Sequence, residues 1–192
     1  MTEHLFDKYS LSLAMDAGLR AVVEAVERIP EATLLGPGKA DALQAIVRRN
    51  VLTAPRLRPE GKTGKRRQED RERRDFGRTI PIKVDVVDVR IPFEGDPEMF
   101  RTNPSRTLTM LRARIEQDAL VLPVYDENDS AGIDRQVSTF IAGVEQNLQS
   151  QRNDLAHFER RLTEAVNEAA ERRIKAIEDR RSRDSKLSFP IE

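Results

Sequence analysis

Between Ser130 and Arg181 the chain has no proline, and beyond Gly143 this stretch has no glycine. Apolar residues fall at positions 133, 137, 140, 141, 144, 148, 155, 158, 162, 166, 169, 174 and 177. The steps are mostly three, four or seven, which is the stripe of a helix with one apolar face. A single helix of this span would be about 75 Å long at ~1.5 Å per residue, longer than a small domain is wide. The polar run 149–153 marks the place where it would break. Up to Val166 the stripe carries Ile, Val, Phe and Leu and suits packing on a sheet. Beyond it the stripe thins, so the distal part is expected to project as a coupling arm, with Ile174, Ile177, Leu187 and Phe189 as its contacts.

A helix of that kind needs a sheet to cover, and residues 80–93 supply the clearest strand. Ile80, Ile82, Val84 and Val86 alternate with polar residues and Pro81; Val87, Val89, Ile91 and Phe93 then alternate with Asp88, Arg90 and Pro92. The phase slips by one between Val86 and Val87, as a β-bulge would produce. Pro81 and Pro92 cannot donate to a ladder and favour strand ends or an edge. Residues 111–116 and 120–125 alternate in the same way around the short turn Gln117-Asp118. The expectation is a three-stranded antiparallel sheet over 80–126.

The N-terminal part reads as a helical pair. Leu13, Ala17, Val22, Val26 and Ile29 form a stripe over 5–29, which Pro30 ends. Gly36-Pro37-Gly38 is a turn, and 40–50 a second, shorter helix. Residues 56–78 differ in kind. They hold ten Arg or Lys and five acids, with Leu57 and Phe76 as the large apolar residues. Such a segment buries too little to offset its ordering entropy and reads as a mobile charged linker. The fold class is therefore α+β: a helical segment at 1–55, a linker at 56–79, and a sheet with a long helix at 80–192.

Charge is abundant yet balanced, 33 basic against 33 acidic side chains. With no cysteine there is no thiol nucleophile, disulfide or Cys-based zinc site. The start of the chain lacks the basic, then apolar, pattern of a signal peptide, so a cytoplasmic location without membrane contact is expected. No GxGxxG, P-loop, HExxH or GxSxG pattern occurs, and Gly61-Lys62-Thr63 lacks the first glycine and strand of a P-loop. His157 reads as a helix-surface residue. Glu94 and Asp96 flank a glycine after a strand; as an acid pair they would serve a small hydrolase, and as turn-capping groups they need no chemistry. No catalytic residue, metal ligand or cofactor is expected. Arg66, Arg67, Arg71, Arg73 and Arg74 form the one candidate phosphate-binding set, with acids at 69, 70, 72 and 75 interleaved.

The order of features resembles the uncharacterised N-terminal regions of bacterial multidomain effector proteins of the antiviral-defence type. The residues that carry it are Ile91-Pro92-Phe93-Glu94-Gly95-Asp96, the following Phe100 and Pro104-Ser105, and Leu187-Ser188-Phe189-Pro190. The resemblance implies a non-catalytic sensing, docking or assembly module ahead of a further domain. Its recognition loop would hold Glu94, Asp96, Phe100 and Ser105, and its partner would be another protein or a second copy. Nucleic acid bound by the arginine segment is the alternative.

Overall fold

The computed structural model describes residues 2–75, 78–106, 110–126 and 129–187, with the backbone alone at 73–75 and 78. In chain order the elements are strands β1 (Glu3–His4) and β2 (Tyr9–Ser10), helices α1 (Leu11–Glu27), α2 (Glu31–Leu34) and α3 (Lys39–Asn50), and strand β3 (Arg56–Leu57). The long strands β4 (Thr63–Asp75) and β5 (Arg78–Glu94) follow, then a 3-10 turn at Pro97–Arg101 and strands β6 (Thr102–Asn103), β7 (Arg112–Ile115) and β8 (Ala119–Tyr125). Helices α4 (Ser130–Leu155) and α5 (Phe158–Asp184) come last. The mixed helix-and-sheet class and the antiparallel β7-β8 hairpin match the expectation from sequence, but the sheet has six strands rather than three, in the order β1-β7-β8-β5-β3 with β4 also pairing β5.

The chain forms two compact units, one of Met1–Leu11 with Thr53–Asp154, the other of Ser12–Leu52 with Leu155–Glu192. The boundaries at 55 and 79 expected from composition are not the ones the fold uses. In the first unit β5 pairs with β8 and β8 with β7, and Val89, Ile91, Phe93, Ala113, Leu120 and Val124 point to one side. There they meet Val137, Phe140, Val144 and Leu148 of α4. Leu5 and Phe6, expected to begin a helix, belong to this core instead. Phe6 has a φ of 58°, unusual for a bulky residue; its N–H donates to Phe100 O at 2.6 Å and its buried ring lies 6.0 Å from that of Phe100.

The segment expected to be a mobile linker is strand β4. It pairs with β5 without a gap from Thr63↔Arg90 to Asp75↔Arg78. Composition misled because a strand need not bury its own side chains when its neighbour supplies the apolar ones. The same unbroken register, and that of β5 with β8 from Val86↔Tyr125 to Pro92↔Ala119, removes the expected bulge. The phase slip has another cause. The inner half of β5 turns Val89, Ile91 and Phe93 to the α4 side, whereas Ile80, Ile82, Val84 and Val86 lie on the opposite face.

In the second unit α1 buries Val22 and Val26, with Leu13 and Ala17 exposed rather than inward. Leu34, Leu43 and Val47 are buried too, together with Phe158, Leu162, Val166, Ala169, Ala170 and Ile177 of α5. Gly18 permits the close approach of Phe158: a Cβ there would lie 3.0 Å from the ring. Arg173 donates to Val26 O near the end of α1, and Arg180 and Arg181 pair with Glu31 at the start of α2. The helical stripe thus breaks after Leu155, a little beyond the polar run. Gln151 belongs to that run but is fully buried, donating to Met99 O (2.8 Å) and Thr102 O (2.7 Å), so it serves packing rather than a break.

Candidate docking surface

The residues expected to form a recognition loop are committed to the first unit. Glu94 takes bonds from the Arg58 guanidinium at 2.8–3.1 Å, which holds its carboxyl below the usual range. Asp96 Oδ1 accepts from Glu98 N at 2.9 Å and caps the 3-10 turn. Between them Gly95 has φ 113°, and a Cβ there would meet Pro55 Cα at 3.2 Å, so glycine is required. Phe100, placed at the recognition edge by sequence, is fully buried instead, with its ring 4.6 Å from that of Phe93. Ser105 donates through N (2.8 Å) and Oγ (2.7 Å) to Asp154. A carboxylate held ionised by an arginine, beside one used as a cap, is a poor acid/base pair, which weakens the hydrolase reading.

The expected coupling arm is likewise occupied. Ile177 is buried and Ile174 partly so within the second unit, because α1 to α3 supply the apolar partners that sequence did not assign to this helix. Leu187 is 43% exposed, and Phe189 lies outside the described residues.

The hairpin of β4 and β5 is different. Strand β8 reaches only to Val86, where Asp126 N donates to Asp85 O at 2.9 Å. Beyond that point β4 and β5 pair with each other alone, as a two-stranded ribbon of residues 68–75 and 78–85. One face of the ribbon carries Ile80, Ile82 and Val84 in a row, none of them buried, with Ile80 43% exposed. On that same face of the hairpin the charges form a continuous chain. Arg114 (3.3 Å) and Arg67 (3.0 Å) meet Asp88 Oδ2, and Arg67 reaches Glu69 at 2.8 Å. Arg71 reaches Glu69 at 3.2 Å and stacks 4.0 Å above the Tyr125 ring, bonding its hydroxyl. Asp88 Oδ1 is buried and has no hydrogen-bond partner among the described residues. Burial pushes the Asp88 carboxyl up, but the bond from Arg67 and the charges of Arg114 and Arg67 outweigh it and hold it below its ordinary value.

The candidate nucleic-acid set is thereby largely paired. Arg66 meets Asp126, Arg67 meets Asp88 and Glu69, and Arg71 meets Glu69. The side chains of Arg73 and Arg74 lie outside the described residues.

Main-chain direction explains where the prolines stand. Asp85 and Phe93 turn their peptide groups to the β8 side, the latter donating to Asp118 O at 3.0 Å; Pro92 turns its own to the other side, accepting from Arg58 N at 2.8 Å. Directions alternate along a strand, so Thr79, Pro81 and Lys83 face the open side beyond the end of β8. Pro81 therefore costs the ladder no bond, and it removes a donor from that edge. The missing donor of Pro92 faces the stretch ahead of β4, which begins opposite Arg90. On β4 the residues opposite Val86, Val84 and Ile82 face inward, so Gly64, Arg66, Gln68, Asp70 and Glu72 turn their peptide groups outward. All five are exposed or half-exposed, and β4 pairs with β5 alone. The alternation of proline and charge was visible in sequence; which edge each occupied required the pairing.

Among the described residues no group of three His, Asp or Glu side chains could hold a metal ion, and no helix is long and apolar enough to cross a membrane. A groove of about 460 Å³ in the second unit is lined by Leu43, Val47 and Val166 with Asp41, Arg48 and Glu159; it contains no buried polar side chain.

The chain has no significant match to a family model, a curated protein or a solved structure.

Proposed function

We infer that this protein is a non-catalytic docking or assembly module that works through the β4–β5 ribbon. The observation that carries the reading is the row Ile80, Ile82 and Val84, which extends past the last residue of β8, with β4 on one side and no strand on the other among the described residues, and Ile80 43% exposed. Apolar residues held on a two-stranded arm, flanked by charges that are already paired, suit contact with a protein surface rather than with phosphates. The role expected of the 94–105 loop passes to the ribbon, because the loop's side chains are consumed in building the unit. A place ahead of an effector domain, in the manner of defence proteins, belongs to the same proposal and rests on the sequence resemblance. Nucleic acid is the weaker reading, since Arg66, Arg67 and Arg71 each face a carboxylate.

A photo-crosslinking residue at position 80, in the cells that make the protein, tests the docking role. The expected result is labelling of one defined peptide, lost when Ile82→Asp is added. Labelling no greater than that from the same probe at exposed Glu171 on α5 would overturn it.

A further inference from the structure

We propose that the occupant of the open β4 edge is a second copy of this chain, paired antiparallel through β4 with its two-fold axis at Gln68; this rests on reading the ribbon as a docking arm. Three observations support it. The outward peptide groups of Gly64, Arg66, Gln68, Asp70 and Glu72 lie on an uncovered edge and run for nine residues without a proline. The opposite edge of the ribbon is blunted by Pro81, so the ribbon offers one edge for pairing, and a two-fold contact through it closes as a dimer rather than growing into a fibre.

The third observation is charge. In an antiparallel pair about a two-fold axis, choosing the residue on the axis fixes every opposition. With Gln68 on the axis, Arg67, bonded to Asp88 and Glu69 within its own copy, also faces Glu69 of the second copy; Arg66, bonded to Asp126, faces Asp70; and each opposition occurs twice. The one like-charge opposition is Lys65 with Arg71. Moving the axis to Glu69 sets Glu69 against itself, Arg67 against Arg71 and Lys65 against Arg73. Moving it to Asp70 sets Asp70 against itself, Arg66 against Arg74 and Arg67 against Arg73. Moving it to Arg67 opposes two guanidinium groups on the axis. Counted in full within β4, the Gln68 register sets four opposite-charge oppositions against two like-charge ones; the Arg67 axis gives two against one, Glu69 two against five and Asp70 four against five, so Gln68 is the most self-complementary register and Arg67 the next. The five outward residues of each copy would exchange about ten main-chain hydrogen bonds. The axis is perpendicular to the sheet and keeps its faces, so the two Ile80-Ile82-Val84 rows would lie on one side of a four-stranded ribbon.

Sedimentation equilibrium on the full chain tests this, the expected mass being twice 21.9 kDa. Arg66→Glu and Asp70→Arg should each weaken self-association by about tenfold, because the axis applies each change twice. A mixture of the two variants should recover the affinity. In the mixed pair the introduced acid of one copy faces the introduced base of the other, and the native Asp70 of the first faces the native Arg66 of the second. As an independent readout that leaves the charges intact, Gln68→Cys should form an intermolecular disulfide on oxidation. Opposite residues of a hydrogen-bonded pair lie about 5.5 Å apart, within disulfide reach, and the chain has no other cysteine. A monomer overturns the proposal, as does a dimer unmoved by both charge variants and not linked at position 68. A monomer whose position-80 probe still labels one peptide of another protein would remove the dimer and keep the docking role. A dimer whose probe labels nothing would do the reverse.

Discussion

The inner and outer halves of one hairpin show how context decides what a strand is for. Around Val89 and Ile91, β5 has β4 on one side, β8 on the other and α4 against one face. Around Ile80 and Ile82 it has β4 alone. Both halves alternate apolar and polar residues with equal regularity. The inner half converts that alternation into a core; the outer half leaves it as surface. The same pattern is therefore a folding signal in one place and a binding feature in the other, and the difference lies in where β8 stops.

The largest test of this contrast is Ile91→Ala. It removes fully buried atoms from the core of the first unit and should cost about 2–5 kcal/mol in urea unfolding. A cost under ~1 kcal/mol would mean that the inner half is not anchored. Next comes Asp88→Asn at the junction, which replaces the charged acceptor of Arg67 and Arg114 and should cost about 1–3 kcal/mol at neutral pH. Because the native carboxyl lies below its ordinary value of 3.8, its contribution is complete above that pH. It is lost as pH falls from 3.8 through the lower native value. The wild type should lose its advantage over Asp88→Asn in that acid window; an unchanged gap would show that Asp88 does not titrate against these arginines. Smallest is Ile80→Ala, expected to change stability by less than ~0.5 kcal/mol while reducing crosslinking from the adjacent face. A loss as large as that of Ile91→Ala would place Ile80 in a core and end the comparison.

The sequence alone carried the α+β class, the hairpin at 111–125, the helices from Ser130 on and the edge character of Pro81. It failed at β4 for a definite reason. A segment such as 65–72 has no apolar period, because it is an edge strand whose side chains are all charged or polar, a basic block followed by a mainly acidic one. Its order comes from the main-chain bonds and the apolar side chains of β5, which no local window contains. The slip between Val86 and Val87 was real, but a bulge and a strand that carries its apolar residues on opposite faces in its two halves leave the same trace. Gln151 was hidden for the converse reason. A buried glutamine that latches two carbonyls looks, in sequence, like any polar interruption of a helical stripe. For the candidate site, the five arginines and the nearby acid Glu69 were visible, but the partners Asp88 of Arg67 and Asp126 of Arg66 were not, since they lie far away along the chain.

The second unit is assembled from two separated stretches of chain. Helices α1 to α3 are complete by Asn50, yet α5, whose Phe158 ring fills the space at Gly18, is synthesised roughly a hundred residues later. At translation rates of about 5–20 residues per second, Val22, Val26 and Leu34 wait on the order of ten seconds for their cover. The first unit can close in that interval, since all its strands and α4 precede α5. Nascent chains of this protein are thus half folded and half exposed, and the ribosome and its chaperones meet α1 to α3 as an unfinished surface.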